Sequence, residues 1–322
     1  MDKASRIYVA GHRGLVGSAI CRRLSREGYT NVIVRDRAHL DLFNGDAVDA
    51  FFAAERPEYV FVAAAKVGGI LVNSTQPVEF LRDNLKIEIN VLDAAHRYGV
   101  KKIEMLGSSC IYPKLAPQPI KEEYLLSGPL EPTNEWYAIS KIAEIKLAQA
   151  YHLQYGLQAI SLMPTNLYGP GDNFDLNTSH VLPALVRKIH EAHVSGAPEV
   201  VVWGSGEPRR EFMHVDDMAS AAVFLMLNYD SPAIINVGVG TDVTIAELAE
   251  MIRRIVGFRG RLSFDTSRPD GTPRKLLDIS RLSALGWRAE IGLEDGIRQA
   301  YQWFLSEVLG AQSAIRFENV AG

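Results

Sequence analysis

The sequence predicts an α/β protein built on a Rossmann-type doubly wound parallel sheet, with a smaller α/β domain behind it. From Arg6 to about Gly107, short apolar strands alternate with amphipathic helices, the rhythm of a parallel sheet covered on both faces. The first strand runs straight into Gly11-His12-Arg13-Gly14-Leu15-Val16-Gly17 and then a helix. Glycines at such a turn let the backbone approach a pyrophosphate, which rests on the amides of the helix amino terminus. A length of 322 residues suits either two ordinary domains or one Rossmann-type domain with an elaborated second half.

The strands of the first part are Ile7 to Ala10, Val32 to Arg35, Tyr59 to Ala63 and Ile103 to Gly107. Ser18 to Glu27, Gly45 to Ala54 and Leu85 to Tyr98 read as the intervening helices, the last stopped by Gly99. Pro113, Pro117, Pro119, Pro129 and Pro132 argue for a loop across the mouth of a site. Asn134 then opens what reads as the longest helix, to about Tyr155, followed by a strand at Leu157 to Met163. Proline and glycine punctuation from Pro164 to Gly171 marks the domain boundary, placing 1–170 in the first domain and 171–322 mainly in the second. Part of 212–237 returns to the first. Beyond the boundary come a helix at Val181 to Ala192, a strand at Glu199 to Trp203 and an alanine-rich helix at Val215 to Leu227. Thr244 and Glu247 form a capping box for a further helix. The tail after Leu309 is expected to fray, unless Ile315 and Phe317 dock.

Composition excludes several classes. Hydrophobic residues at 47% and charged residues at 22% describe a soluble globular chain, and a net charge of −4 offers no general attraction to nucleic acid or anionic membrane. Apolar runs such as Tyr59 to Ala65 fall far short of the ~18 residues of a membrane span, and the amino terminus lacks a signal-peptide pattern, so a cytoplasmic protein is expected. Two cysteines, Cys21 and Cys110, are too few for a disulfide framework and lack metal-ligand spacing, so no metal is expected.

The chemistry centres on Tyr137 and Lys141, one turn apart on one helix face. An ammonium beside a phenol favours the phenolate, which makes tyrosine a proton donor or acceptor nearer neutrality. By itself this spacing far more often marks a half-buried ring beside a solvated amine. Upstream, Ser108 sits where a strand breaks into a loop, the crevice side of an open parallel sheet, and its hydroxyl can bond the oxygen that Tyr137 protonates. Cys110 follows by two positions, so an extended backbone would put both side chains on one side. Arg35 and Arg37 flank Asp36 after the second strand and Arg13 lies in the glycine loop; three cations against one carboxylate favour a 2′-phosphate, hence NADP(H).

Together the glycine loop, Ser108 and Tyr137-x-x-x-Lys141 resemble the extended short-chain dehydrogenase/reductase superfamily, whose members act mostly on nucleotide sugars. Within it, Ala10 to Ile20 (AGHRGLVGSAI), Ala63 to Ile70 (AAAKVGGI), Gly107 to Lys114 (GSSCIYPK) and Val201 to Asp217 (VVWGSGEPRREFMHVDD) resemble the branch that epimerises and reduces a GDP-linked 4-keto-6-deoxyhexose with NADPH. The similarity runs to about Leu305. It implies a catalytic set of Ser108, Cys110, Tyr137, Lys141 and His180, with Cys110 and His180 moving protons at the carbons beside a ketone. It further implies a cofactor site of Gly11, His12, Arg13, Gly14, Leu15, Val16, Gly17, Arg37, Asp41, Leu42, Leu106, Gly107, Ser108, Ser109, Lys141, Pro164, Thr165, Asn166, Leu167 and His180. Lys188, Trp203, Arg210 and Asp270 are implied for the nucleotide end of the substrate, and a homodimer paired through the helices at Leu85 to Tyr98 and Asn134 to Tyr155. A 4-epimerase or dehydratase, a 3-deoxy-sugar relative of the colitose type, and a non-catalytic NADP sensor stay open.

Overall fold

The computed structural model describes residues 1–268 and 270–310, so the expected fraying or docking of the tail lies outside the described residues. The first part runs β1 (Ile7–Ala10), α1 (Leu15–Arg26), β2 (Val32–Ile33), α2 (Gly45–Glu55), β3 (Tyr59–Val62), α3 (Ile70–Thr75), α4 (Pro77–Arg97) and β4 (Lys102–Leu106). It continues through α5 (Glu135–Tyr155), β5 (Ala159–Pro164), β6 (Asn166–Tyr168), α6 (Val181–Ser195), β7 (Glu199–Trp203), β8 (Arg209–Arg210), β9 (Phe212–His214) and α7 (Val215–Asn228). The chain then forms β10 (Ile235–Val237), β11 (Val243–Thr244), α8 (Ile245–Val256), β12 (Arg261–Asp265), β13 (Arg274–Lys275), α9 (Ser280–Ala284) and α10 (Leu293–Trp303).

Six strands form a parallel sheet in the order β10-β5-β4-β3-β1-β2. The strands are buried on both sides, which is why they read as apolar runs rather than alternating ones. One face packs Ile7, Val9 and Phe61 against α1 and the alanine-rich α7; the other packs Tyr8, Val60 and Ile103 against α2, α4 and α5. The chain visits β2 on one side of β1 and β3 on the other, so the order in which strands are added reverses between β1 and β3, and a crevice opens at their carboxyl ends. A separate core joins α6, α8, α10, β7 and β9 through Leu185, Val202, Phe212, Leu248, Ile297 and Phe304. It carries small sheets β12-β7 and β11-β8-β13, while β6 pairs in parallel with β9.

Three elements depart from the reading above. β2 ends at Ile33, because Asp36 already accepts the His39 amide in a turn. α4 begins at Pro77 rather than Leu85; proline at the first helical position loses no hydrogen bond, and the polar stretch after it hides a buried face of Phe80 and Asn84. α5 is not longer than α4, since both span 21 residues. Among the described residues, no helix is long and apolar enough to cross a membrane.

Candidate active site

The glycine loop is shaped by contacts that exclude side chains. Gly11 takes φ +82°, and a Cβ there would stand 2.6 Å from the Ala63 carbonyl oxygen at the end of β3. At Gly17, inside the first turn of α1, a Cβ would meet the Gly11 oxygen at 2.2 Å, so the helix packs directly on the turn. Gly14 is the N-cap of α1 and makes no side-chain cap, which leaves the helix amides facing the crevice. This backbone cradle fits a dinucleotide pyrophosphate. Beside it, Arg13 pairs with Asp36 at 2.8 Å, and Arg37 lies over the Phe43 ring at 4.8 Å and 3.9 Å from Asp41. Arg35 does not join them: it is bound to Glu55 at 2.5 Å and lies over Phe51. The cationic side of this pocket therefore consists of Arg13 and Arg37, both largely exposed. Leu42 is fastened by Asn90, whose side-chain amide donates to its carbonyl at 2.9 Å.

β4 ends at Leu106, and a tight turn over Ser109–Ile111 follows. The extended backbone expected between Ser108 and Cys110 is therefore absent, because Ser108 caps this turn by accepting the Cys110 amide at 3.2 Å. A hydroxyl that accepts one bond keeps its hydrogen to donate. Cys110 Sγ instead faces the Asn134 side-chain amide at 3.3 Å and Lys275 Nζ at 3.7 Å. From α5, Tyr137 packs edge-on to Phe80, and Lys141 Nζ is clamped by Glu144 at 2.5 Å and Glu88 at 3.2 Å.

The electrostatics differ from expectation. Burial raises the Tyr137 phenol to about 12, and Lys141 offsets only part of that. The reason is visible in the ion pairs: Glu144 and Glu88 compensate the ammonium, and against the opposing effect of burial they hold Lys141 above its ordinary value. Tyr137 is thus a protonated donor across the neutral range. His180, at the N-cap of α6, is open to solvent yet stands in a cleft walled by protein, which lowers its imidazole; Lys275 adds to the shift. Lys275 thus acts on both Cys110 and His180.

Thr165 and Asn166, past the end of β5, are held by donating to the Glu211 carbonyl at 3.1 and 2.7 Å. In the second part of the chain, Trp203 is 60% exposed at the end of β7, with Lys188 Nζ 4.7 Å and the Arg268 guanidinium 5.0 Å from its ring centroid. Arg210 is half-buried and senses both Cys110 and Asp270. The Asp270 carboxylate is engaged locally, accepting from the Ser205 amide at 2.7 Å and hydroxyl at 2.8 Å. Among the described residues, no group of histidine, cysteine and carboxylate side chains is arranged to hold a metal.

Residues 7–238 match the family model described as the NAD dependent epimerase/dehydratase family. The chain belongs to that family. It is 59% identical over 312 residues to the probable GDP-L-fucose synthase 1 of Oryza sativa subsp. japonica, covering 97% of this chain and 95% of the relative. It is 56% identical over 309 residues to the GDP-L-fucose synthase of Escherichia coli (strain K12), covering 93% and 96%. A solved GDP-L-fucose synthetase from Naegleria fowleri bound to NADP superposes with a TM-score of 0.89 at 32% identity, covering 96% of this chain and 95% of that one.

For this epimerase/dehydratase family member, the structure adds site residues that the sequence did not single out. Asn134 and Lys275 meet the thiol, Glu88 and Glu144 meet the lysine, and Glu211 fastens Thr165 and Asn166. Asn134 and Glu144 were within reach of helix spacing around Tyr137 and Lys141. Lys275 and Glu88 carry no local signal, since they arrive from distant segments.

Proposed function

We propose that this chain converts GDP-4-keto-6-deoxy-D-mannose to GDP-L-fucose, by epimerisation at carbons 3 and 5 and NADPH-dependent reduction at carbon 4. The observation that carries the reading is the thiol of Cys110 on the same turn as Ser108, close enough to Tyr137 for their charges to interact. A site that only reduced a ketone has no use for that thiol; a ketone acidifies both neighbouring carbons, and a thiol and an imidazole can exchange their protons.

In this reading Gly11 to Gly17, Arg13, Arg37, Leu106 to Ser109, Lys141, Pro164 to Leu167 and His180 hold the cofactor. When bound, NADPH supplies the hydride that reduces carbon 4. Ser108 donates its hydroxyl hydrogen to the carbonyl oxygen, and Tyr137, kept protonated by burial, gives that oxygen its proton. Cys110 and His180 act earlier, one removing and one returning a proton, with the Asn134 amide and Lys275 orienting the sulfur. Arg210 suits the diphosphate and Trp203 the base.

The sheet-bearing part, residues 1–170 with part of 212–237, would hold the cofactor, and residues from 171 onward mainly the sugar nucleotide. We infer a cytoplasmic homodimer paired through α4 and α5. Several apolar residues of these two helices, Ile87, Val91, Leu92 and Ile145, are buried within the chain. Support comes instead from Ile89, Trp136, Ile139, Leu153 and Tyr155, which the same two helices leave exposed. The decisive experiment gives purified protein GDP-4-keto-6-deoxymannose in deuterated water with NADPH or NADH. NADPH oxidation with deuterium at carbons 3 and 5 is expected; a protein that binds NADPH but oxidises none defeats the reading.

A further inference from the structure

Behind the acid centre lies a cluster that the scheme above does not use. Lys141 Nζ bridges Glu144 Oε2 at 2.5 Å and Glu88 Oε1 at 3.2 Å, and the side chains are sealed from solvent, at 3% exposure for the lysine and 2% or less for both glutamates. Glu88 comes from α4, while Glu144, Lys141 and Tyr137 come from α5. Among the described residues, Tyr137 is the other titratable group that acts on Lys141, and Cys110 acts in turn on Tyr137.

Two features of this cluster require a proton. Each carboxyl group has one oxygen on the Lys141 ammonium, and the other, Glu88 Oε2 and Glu144 Oε1, finds no donor among the described residues. Ionised carboxylates only accept, so two buried carboxyl groups that share one ammonium can relieve an orphaned oxygen only when one of them carries a hydrogen. Charge leads to the same place: one ammonium balances one carboxylate, and a second negative charge in a sealed site is disfavoured. Burial, followed by the neighbouring Glu144 charge, accordingly raises Glu88 well above the ordinary carboxylate range. Glu144, the nearer carboxyl group at 2.5 Å, balances the ammonium, and the proton falls to Glu88 at 3.2 Å, with Lys141 one turn from the phenol.

We propose that Glu88, paired with Glu144 across the Lys141 ammonium, stores the proton that returns to Tyr137 through Lys141 after each reduction. The inference rests on the reading of Tyr137 as the acid. When the carbon-4 oxygen takes the Tyr137 proton, the phenol O–H bond breaks and a phenolate remains. An N–H bond of Lys141 breaks to reform it, and the Glu88 O–H breaks to restore the ammonium. The emptied carboxylate regains a proton, drawn in the end from solvent, before the next turnover. The carboxylates hold Lys141 above its ordinary value, so its own transfer to the phenolate runs uphill, and it is the proton from Glu88, a stronger acid than the buried phenol, that draws the sequence forward. Glu88 and Glu144 touch neither substrate nor cofactor, so they are positioning residues that act through Lys141.

Glu88→Gln keeps the shape and a hydrogen bond but removes the acid. In rapid mixing, its first turnover is expected at the wild-type rate, because Tyr137 starts protonated. Later turnovers should slow by about 10² or more, the scale of a lost positioned proton transfer. NADPH oxidation then shows a burst of one equivalent per site, which wild type lacks, and Glu88→Asp restores the later turnovers. A second readout needs no turnover: the infrared carboxylic-acid band of the resting wild-type protein at neutral pH should lose one component in Glu88→Gln. Should that variant not fold, Glu144→Gln is read the same way, first turnover spared and later ones slowed. First and later turnovers slowed alike, no change in either, or an unchanged infrared band overturns the proposal and leaves the cluster a brace between α4 and α5. Failure of wild type to oxidise NADPH defeats the functional reading instead, so the two failures are distinguishable.

Discussion

Gly11→Ala should cost this protein more than Gly28→Ala, by an amount that can be worked from the geometry. Both residues are left-handed, at φ +82° and +79°, so alanine at either incurs about 1–2 kcal/mol of backbone strain. Around Gly28 nothing lies within 4 Å of the new Cβ, and the strain is the whole effect. At Gly11 the methyl would meet the Ala63 carbonyl oxygen at 2.6 Å, its carbon at 2.7 Å and the Ala64 nitrogen at 2.9 Å. All three are backbone atoms at the end of a central strand, which no rotamer change moves, so overpacking adds about 1–3 kcal/mol. At roughly 2–4 °C per kcal/mol for a chain of this size, calorimetry should find Gly28→Ala lowered by about 2–8 °C and Gly11→Ala by about 4–20 °C. The clash can also be relieved by the loop lifting off β3, which spoils the cradle. Added NADPH should therefore raise the melting temperature of wild type and Gly28→Ala alike, and that of Gly11→Ala much less. Equal melting temperatures for the two variants, or an equal response to NADPH, would refute the claim that close backbone approach shapes the loop.

Cys110→Ser should reduce deuterium entry at carbons 3 and 5 by about 10²- to 10⁴-fold while slow reduction of the unepimerised sugar continues, as read by mass spectrometry; exchange at the wild-type rate makes Cys110 a packing residue. Tyr137→Phe should give the converse, deuterium entering without NADPH consumption. Burial raises Asp172 to about 7, with the Asn173 amide only partly offsetting it. A raised folded value means its contribution is fully present below the unfolded value of ~3.9 and lost as pH rises through about 7. Asp172→Asn should accordingly melt above wild type at pH ~8 by an amount worth a few kcal/mol, an advantage that vanishes near pH ~4. Trp203→Ala should raise KM for the sugar nucleotide by about tenfold with kcat little changed, the pattern of binding shared by ground and transition states; a fall in kcat alone would place Trp203 elsewhere in the mechanism.

Much of this architecture is legible in the chain because parallel strands buried on both faces are short apolar runs, and the glycine turn announces the first of them. Ser108, Tyr137 and Lys141 are legible for a related reason: each sits at a strand end or on a helix whose register spacing alone fixes. What escaped was the work done by partners from far along the chain. Nothing near Lys141 signals that Glu88 on another helix compensates its charge, so the expected lowering of the tyrosine by the lysine becomes a rise. Arg35 read as a phosphate ligand because its neighbour in sequence is Asp36, whereas its neighbour in space is Glu55. The early start of α4 was hidden by a polar stretch whose one buried amide, Asn84, is spent on the Lys66 backbone.

Glu211 has a consequence for how the protein is made. Its carbonyl receives Thr165 and Asn166, while its buried carboxylate accepts the amides of Val239 at 2.6 Å, Gly240 at 2.7 Å and Leu277 at 3.0 Å. A nascent chain that has emerged only as far as the central sheet has the strands but lacks the last of these donors, and an unmatched carboxylate resists being enclosed. The crevice wall from Thr165 onward therefore closes only after residue 277 has left the ribosome. Lys275 arrives with the same segment, so the thiol of Cys110 meets its cationic partner no sooner than the site is shut around it.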